Sequence, residues 1–502
     1  MRTLIASVLL AAPLAAQDIS AIGRDLDTYI PKALSDWRGA GLAVGIVKDD
    51  RLVYAKGFGV REVGKPDPVD DKTLFAIGSN SKFFTAVAAA MLADDGKLSL
   101  DDKVTRHLPW FQLHDPWVTR EFTLRDAMSH RSGLGRRGDP LWYGTGRSRD
   151  DLVRLVRHLP PNSSFRTEYG YQNLMFITAG QAIAAAAGTS WDDVIARRIF
   201  APLGMADSRT AMKQLKAQSN VAMPHELSGD IPRPQVIPWR EIDNAGAAGS
   251  ITSNVQDMAK WMRFILARGV HGTDTLLKPR TLADITGPHS IPTRVVTDTM
   301  GLGRHFSLYG LGIGLSDMLG VKVLQHTGGI DGMLSFVAMV PERKLGVVVL
   351  TNVSGHNALY SALGQKILVD LLGGPKRDWS AISLAETRKA EAQAAEQVKK
   401  RLDARVANTQ PSRPLTEYAG TYRHEMYGDV VVTYEDGALR VRHGPVIDLR
   451  LQHFHYDTFN ARASGLMLGE TAWVNFALDS GAKVNAISIE GLAEFGRVRE
   501  GS

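Results

Sequence analysis

The sequence predicts an α/β protein in which an antiparallel sheet is flanked by helices and carries a helical subdomain, with an all-β unit after it. Three features predict this. Apolar runs of strand length stand at residues 41–47 and 52–55, and again far downstream at 321–329, 335–340 and 345–350. Helical periodicity fills the interval, so the two sets of strands must meet in one sheet that the helices cover. From Leu415 onward the pattern changes to short alternating strands.

Taken in order, each element has a local reason. Residues 1–3 are a short basic start, 4–14 an apolar run, and Ala15, Ala16 and Gln17 offer small residues for cleavage. This is the pattern of a secretory signal peptide cut after Ala16, too short for a permanent span, and it implies a periplasmic or secreted protein without a membrane anchor. Residues 19–37 read as an amphipathic helix ending near Gly39, and Asp49-Asp50 turns the first strand into the second. Phe84, Val87, Ala88, Met91 and Leu92 then fall at i, i+3, i+4, i+7 and i+8, an apolar stripe on a helix that stops near Gly96. Thr123 and Asp126 resemble a capping box. Gly133, Gly135 and Gly138 have the spacing of a dinucleotide-binding turn, but a helix precedes them and Asp139-Pro140 follows, so they read as a loop.

A helix over 174–187 stops at Gly188, Ser190 caps the next one, and 244–250 reads as a small-residue loop. That loop leads into a helix with Met258, Trp261, Met262 and Ile265 on one face. Residues 356–372 read as the helix that closes this part. Residues 384–406, rich in Ala, Glu, Lys, Arg and Gln, read as an exposed linker helix that Pro411 and Pro414 end. In the last part, 430–434 and 439–442 form a hairpin around Glu435-Asp436-Gly437. His453, His455 and Asp457 share one strand face, which reads as a polar or barrel-lining face in preference to a metal site.

The chemistry centres on Ser79. It stands at the start of the 84–92 helix, with Lys82 three residues on and on the same side. Burial and the positive end of the helix both disfavour an ammonium, so Lys82 is pushed towards the neutral amine that can take a serine proton. Free N–H groups at the same helix end can stabilise an oxyanion. A Ser-x-x-Lys string alone is weak evidence, but two strings join it. Tyr171-Gln172-Asn173 lies at a loop-to-helix junction, and His326-Thr327-Gly328-Gly329 lies at a strand end.

In that order and setting the three strings resemble the active-site motifs of the serine β-lactamase and penicillin-binding-protein superfamily. The likeness is to its class C-like branch of D-aminopeptidases, family VIII-type esterases and CubicO-type serine peptidases, and it covers roughly residues 19–372. The C-terminal part looks like a small lipocalin-like β domain, with His455-Tyr456-Asp457-Thr458-Phe459 as its core. The resemblance implies that Ser79 attacks a carbonyl to give an acyl-enzyme, with Lys82 and Tyr171 sharing the proton. It implies that an adjacent ammonium stabilises the Tyr171 phenolate, and that Asn173 holds Lys82 and the substrate. The Ser79 and Gly329 amides would form the oxyanion hole, Thr327 and Gly328 would line the substrate site, and His326 would serve in proton transfer. No cofactor or metal is implied.

One departure narrows the substrate. β-Lactamases of this branch carry Lys where this chain has His326, and a largely neutral imidazole is a poor partner for a β-lactam carboxylate. The expected substrate is therefore a peptide containing D-residues, or a small ester or amide. A β-lactamase, or a penicillin-binding sensor of the same fold with little turnover, is the rival reading. The Gly-x-Ser-x-Gly string of the other serine-hydrolase architecture is missing, since Gly146-Arg147-Ser148-Arg149-Asp150 lacks the last glycine.

Composition sets the outer bounds. The 502 residues exceed one ordinary core, and the division expected is a signal peptide at 1–16, the hydrolase domain at 17–374, a helical linker at 375–414 and a barrel-like domain at 415–502. With no cysteine in the chain, disulfides and thiolate chemistry are excluded. The net charge of +6 is dispersed, which argues against nucleic-acid binding. A homo-oligomer stays open.

Overall fold

The computed structural model describes residues 19–227, 233–355, 357–444, 447–463 and 471–498. The expected signal peptide lies outside the described residues, as does His356. Helix α1 (Ile19–Asp36) leads into strands β1 (Gly41–Lys48) and β2 (Arg51–Gly59), and the turn between them holds Asp49 and Asp50 at φ of 47° and 61°. Helices α2 (Ser81–Asp94), α3 (Asn173–Ala187) and α4 (Val255–Leu266) follow. The other strands of the main sheet are β3 (Ser290–Thr293), β4 (Ser307–Tyr309), β5 (Gly314–Met318), β6 (Val321–Ile330), β7 (Met333–Val340) and β8 (Leu345–Thr351). They form one antiparallel sheet in the order β2-β1-β8-β7-β6-β5-β4-β3, so the first and last strands do pair. Strands β3 to β5 extend the sheet beyond the sequence reading. At three to five residues each, they are too short to show an alternation.

Both faces of the sheet are covered. Leu42, Val44 and Ile46 pack into one core with α1 and with α5 (Leu359–Leu371), while Ala43 and Val47 face the other with α4. That double burial explains why β1 reads as an unbroken apolar run. Helix α2 differs from its predicted single stripe, because every residue from Ser81 to Leu92 is buried. Ala86, Ala88, Ala89 and Ala90 let other elements approach it on all sides, as expected of a central helix. Residues 243–249 are two helical turns, Asp243–Ala245 and Gly246–Gly249, in place of the expected loop.

Helix α6 (Trp379–Asp403) is exposed along its middle and pinned at both ends. Trp37 Nε1 donates to Ser380 Oγ at 3.0 Å at one end, and Arg401 forms a two-pronged pair with Glu490 at 2.9 and 2.7 Å at the other. Beyond it, nine antiparallel strands among the described residues, from Gly420–His424 to Ala493–Arg497, make a nearly closed barrel filled by Tyr418, Tyr422, Phe459, Phe476 and Phe495. The gap falls between Ile447–Arg450 and Gln452–His455. There a bulge between His453 and His455 breaks the alternation, and the three polar residues take separate partners. His453 faces the Tyr456 carbonyl, His455 accepts from the Val406 amide, and Asp457 accepts from Ser412 and Tyr418. Among the described residues, no helix is long and apolar enough to cross a membrane.

The capping box at Thr123 carries further weight. Asp126, fully buried, accepts from Thr123 and pairs with Arg131 and Arg166 at 2.8 and 2.7 Å. Burial alone would raise its carboxyl; the Arg166 and Thr123 hydrogen bonds and the Arg131 charge hold it below the usual value. Asp126→Ala should therefore cost about 3 kcal/mol in chemical denaturation, because two guanidinium groups lose their partner. The wild-type contribution should be present above about pH 4 and fade as pH falls through the depressed carboxyl pKa.

Candidate active site

Ser79 sits in a 3₁₀ turn, Gly78–Asn80, that runs directly into α2. The turn is held from both sides. Ile77 donates to the Ile251 carbonyl at 3.0 Å, and Ser335 Oγ donates to the Ile77 carbonyl at 2.7 Å while accepting from Asn80 Nδ2 at 2.8 Å. Strand β6 presses against it so closely that two glycines are obligatory. A Cβ on Gly328 would lie 1.9 Å from the Ile77 carbonyl oxygen, and one on Gly78, at φ +51°, would lie 2.5 Å from the Gly329 nitrogen. The Gly329 amide thus stands beside the turn that carries Ser79, and both residues are accessible.

Two groups converge on Ser79 Oγ. Tyr171 donates its hydroxyl hydrogen to it at 2.7 Å, and Lys82 Nζ makes a hydrogen bond with it at 3.0 Å. Lys82 is completely buried, and its other bond is to the Ala248 carbonyl at 2.8 Å, on the helical turn 246–249. Burial pushes this amine well below its usual range, aided by the Arg136 charge and opposed by Asp139. Tyr171 is pushed the other way. Burial raises its phenol well above 10, and the Ser79 hydrogen bond and Arg136 only partly offset it. The phenolate implied by the resemblance is therefore not the resting form, because desolvation outweighs the neighbouring cation.

Asn173 opens α3 but does not reach Lys82; its Nδ2 donates to Asp139 Oδ1 at 2.9 Å. The sequence reading missed Asp139, which also accepts from Trp142 Nε1 at 2.9 Å. His326 has both nitrogens engaged. Nδ1 lies 2.6 Å from the Thr327 carbonyl, which can only accept, so Nε2 is the acceptor for the Tyr309 hydroxyl at 2.9 Å. Burial above all holds this imidazole down to about 4. Its ring centre is 6.5 Å from that of Tyr171, and nothing links it to Ser79. Proton transfer through His326, expected from the resemblance, thus lacks a free nitrogen. Thr327 is exposed along the same strand edge.

The geometry can be set beside known proteins. The family model described as Beta-lactamase matches residues 26–370. The chain belongs to the beta-lactamase family. A second model, described as a domain of unknown function (DUF3471), matches residues 404–499 of this family member. Among relatives, it is 27% identical to the Unguisins hydrolase ungD of Aspergillus violaceofuscus, over 94% of this chain and 88% of that one. It is 29% identical to Penicillin-binding protein 4 of Amycolatopsis lactamdurans, over 67% of this chain and 86% of that one. Among solved structures, the octameric penicillin-binding protein homologue from Pyrococcus abyssi aligns with a TM-score of 0.61 at 21% identity, covering 94% of this chain and 99% of that one. A D-stereospecific amidohydrolase from Streptomyces sp. aligns with a TM-score of 0.51 at 21% identity, covering 67% and 94%. At these identities the two structures speak for the fold.

Within this beta-lactamase fold an aromatic floor completes the site. His130, wholly buried at φ +59°, accepts from the Gln172 amide through Nδ1 at 3.1 Å and packs its ring against Tyr171, 4.3 Å between centres. Burial above all keeps it neutral by pushing it well down. The Arg136 guanidinium lies 4.7 Å from the Tyr171 ring. Arg131, the residue after His130, braces the loop through Asp126. The position of Gly328 yields a direct test. Gly328→Ala should destabilise the protein by about 3 kcal/mol, the upper end for overpacking, because the obstructing atom is backbone. Gly329→Ala, whose Cβ would meet only the Leu334 side chain at 3.1 Å, should cost much less in the same thermal unfolding.

Proposed function

We propose that this chain is a secreted serine hydrolase that forms an acyl-enzyme at Ser79 and cleaves amide or ester bonds, those of a peptide containing D-residues or of a small ester. The observation that carries the reading is the convergence of a buried amine and a phenol on one accessible hydroxyl, at 3.0 and 2.7 Å. A neutral Lys82 has one lone pair. With its own hydrogen given to the Ala248 carbonyl and the Tyr171 hydrogen given to Ser79 Oγ, that lone pair is free to take the serine proton. The oxygen then attacks the carbonyl carbon, and the Ser79 and Gly329 amides receive the developing oxyanion. Tyr171, a phenol at rest, is placed to hand a proton to the leaving group as Lys82 reprotonates it. Water cleaves the ester and restores Ser79.

In this reading His326 positions Tyr309 and the Thr327 edge from its neutral form, and Asn173 shapes the substrate wall through Asp139. Thr327 and Gly328 line the site. The substrate class draws support from relatives named for hydrolysing unguisins and for D-stereospecific amide cleavage. Secretion rests on residues 1–16, and the division at 374 and 415 on the change of pattern there. Self-association is consistent with the octameric state named for one structural neighbour.

Two measurements test the proposal. Treatment with a fluorophosphonate should add one phosphonyl mass to the wild type and none to Ser79→Ala, and the same variant should lose at least about 10³-fold in ester hydrolysis. Labelling unchanged in Ser79→Ala would refute the assignment. A stable adduct with a β-lactam but no turnover of any ester or D-alanyl anilide would favour the sensor. In the pH profile, kcat/KM should fall towards acid as Lys82 takes up a proton, since only the free amine is a base. His326, at about 4, should add no limb between about pH 5 and 8. An inflection near 6.5 that His326→Asn removes would contradict this.

A further inference from the structure

Arg136 is a cation beside the site to which the proposed reaction gives no task. Its side chain is 69% exposed, yet its guanidinium lies over the Tyr171 ring, 4.7 Å from the centre. The backbone before it is fixed. The Gly135 amide donates to Asn162 Oδ1 at 2.9 Å, and the Gly135 carbonyl accepts from Nε2 of Gln172, the residue after Tyr171. Gln172 Oε1 accepts in turn from the Leu174 amide of α3 at 3.0 Å. The loop can run this close because it has no side chains there. A Cβ on Gly133 would lie 2.5 Å from the Ser163 carbonyl oxygen, and one on Gly135 would lie 2.9 Å from Asn162 Oδ1. Arg136 and Tyr171 thus stand on two segments bonded directly to each other. Asp139 Oδ2 is 3.7 Å from Arg136 Nη1, a loose pair, while its Oδ1 accepts from Asn173 and Trp142. At the phenol the guanidinium is the stronger of these two opposing charges. His130 and His326 are kept neutral by burial, so Arg136 is the permanent positive charge over this ring among the described residues.

We infer that Arg136 is a positioning residue for proton delivery, its guanidinium stabilising the phenolate that Tyr171 becomes as it protonates the leaving group. The inference rests on the proposed hydrolysis at Ser79 and adds a residue to it. When the tetrahedral intermediate collapses, the bond from the carbonyl carbon to the leaving oxygen or nitrogen breaks, and that atom keeps the electron pair. It takes the Tyr171 hydroxyl proton. Lys82, carrying the proton removed from Ser79, then restores the phenol, so the net transfer is from serine to leaving group. Negative charge on the phenolate oxygen spreads into the ring beneath the guanidinium, and it does so only in this step. Arg136 therefore acts more strongly on the transition state than on the resting phenol, which is the condition for raising a rate. A buried phenol without such a cation would give up its proton at greater cost.

Two uncharged esters with the same acyl group distinguish this from a structural role. p-Nitrophenyl acetate releases a group that departs unaided as an anion, whereas benzyl acetate releases an alkoxide that has to be protonated. The rates are compared for the full-length chain at low ionic strength, above the acid limb set by Lys82. There, Arg136→Gln should lower kcat/KM for benzyl acetate by about tenfold or more, and that for p-nitrophenyl acetate by less than about twofold. Arg136→Lys should recover part of the loss on benzyl acetate. Equal losses on the two esters would mark a structural role and overturn the inference. Wild-type turnover confined to p-nitrophenyl acetate, or a ratio of the two rates that Arg136→Gln leaves unmoved, would overturn it while hydrolysis at Ser79 stands. Turnover of neither ester would overturn the hydrolysis, and this inference with it.

Discussion

An amine wholly withdrawn from water, with no carboxylate hydrogen-bonded to it, is pushed well below its usual pKa, and the site depends on that constraint at Lys82. The side chain is wholly buried, and its two hydrogen-bond partners, Ser79 Oγ and the Ala248 carbonyl, carry no charge. Each feature around it serves to keep it dry. Helix α2 is buried on every side, and the small residues at 245–249 let a helical turn come close enough to offer a carbonyl. Trp191 closes the same region by donating to Thr85 Oγ1 at 3.1 Å, and Thr85 in turn donates to the Ala247 carbonyl at 2.7 Å. The chemistry proposed at Ser79 is thus a consequence of how the helical part packs. It does not come from a special property of the lysine.

The same packing fixes where the hydroxyl stands relative to the sheet. The turn at 78–80 and strand β6 meet backbone to backbone, with no room for a side chain at Gly78 or Gly328. Ser335, on β7 beside β6, ties the turn to the sheet by bonding both Ile77 and Asn80. The Ser79 hydroxyl therefore belongs to the helical part and the Gly329 amide to the sheet, and their spacing is set by contact between hard backbone surfaces.

How much of this the sequence disclosed follows from the range of the forces involved. The long strands were legible because 41–47, 335–340 and 345–350 are buried on both faces and read as unbroken apolar runs. The helix stops at Gly96 and Gly188, with φ of 73° and 69°, were legible because a left-handed residue is a local demand. Ser79, Lys82 and Tyr171 were found through strings whose spacing is local, and the structure brings all three together. What stayed hidden depends on distant partners. Nothing near Asn173 in the chain announces that Asp139 will take its amide, and nothing near His326 announces the Tyr309 hydroxyl. The Tyr171 phenolate was misjudged for a related reason. Charge neighbours can be guessed from a motif, whereas the extent of desolvation is known only when the whole core is assembled.

The barrel enters the same argument through one short segment. Arg136 stacks on Tyr171, Asp139 holds Asn173, and Arg147 donates to the Met426 and Tyr427 carbonyls of the barrel at 2.9 and 3.2 Å. Asn244, beside the turn that supplies Ala248, donates to the Trp142 and Thr145 carbonyls of this segment at 3.0 and 3.1 Å. The stretch from 136 to 147 is thus bonded to Tyr171 and Asn173, to the helical turns that hold Lys82, and to a hairpin more than two hundred residues away. That hairpin is held to the segment through Arg147, which is half-buried and has the two barrel carbonyls as its hydrogen-bond acceptors. The C-terminal part is in this way coupled to the rim of the site by hydrogen bonds, without contributing an atom to the group that surrounds Ser79.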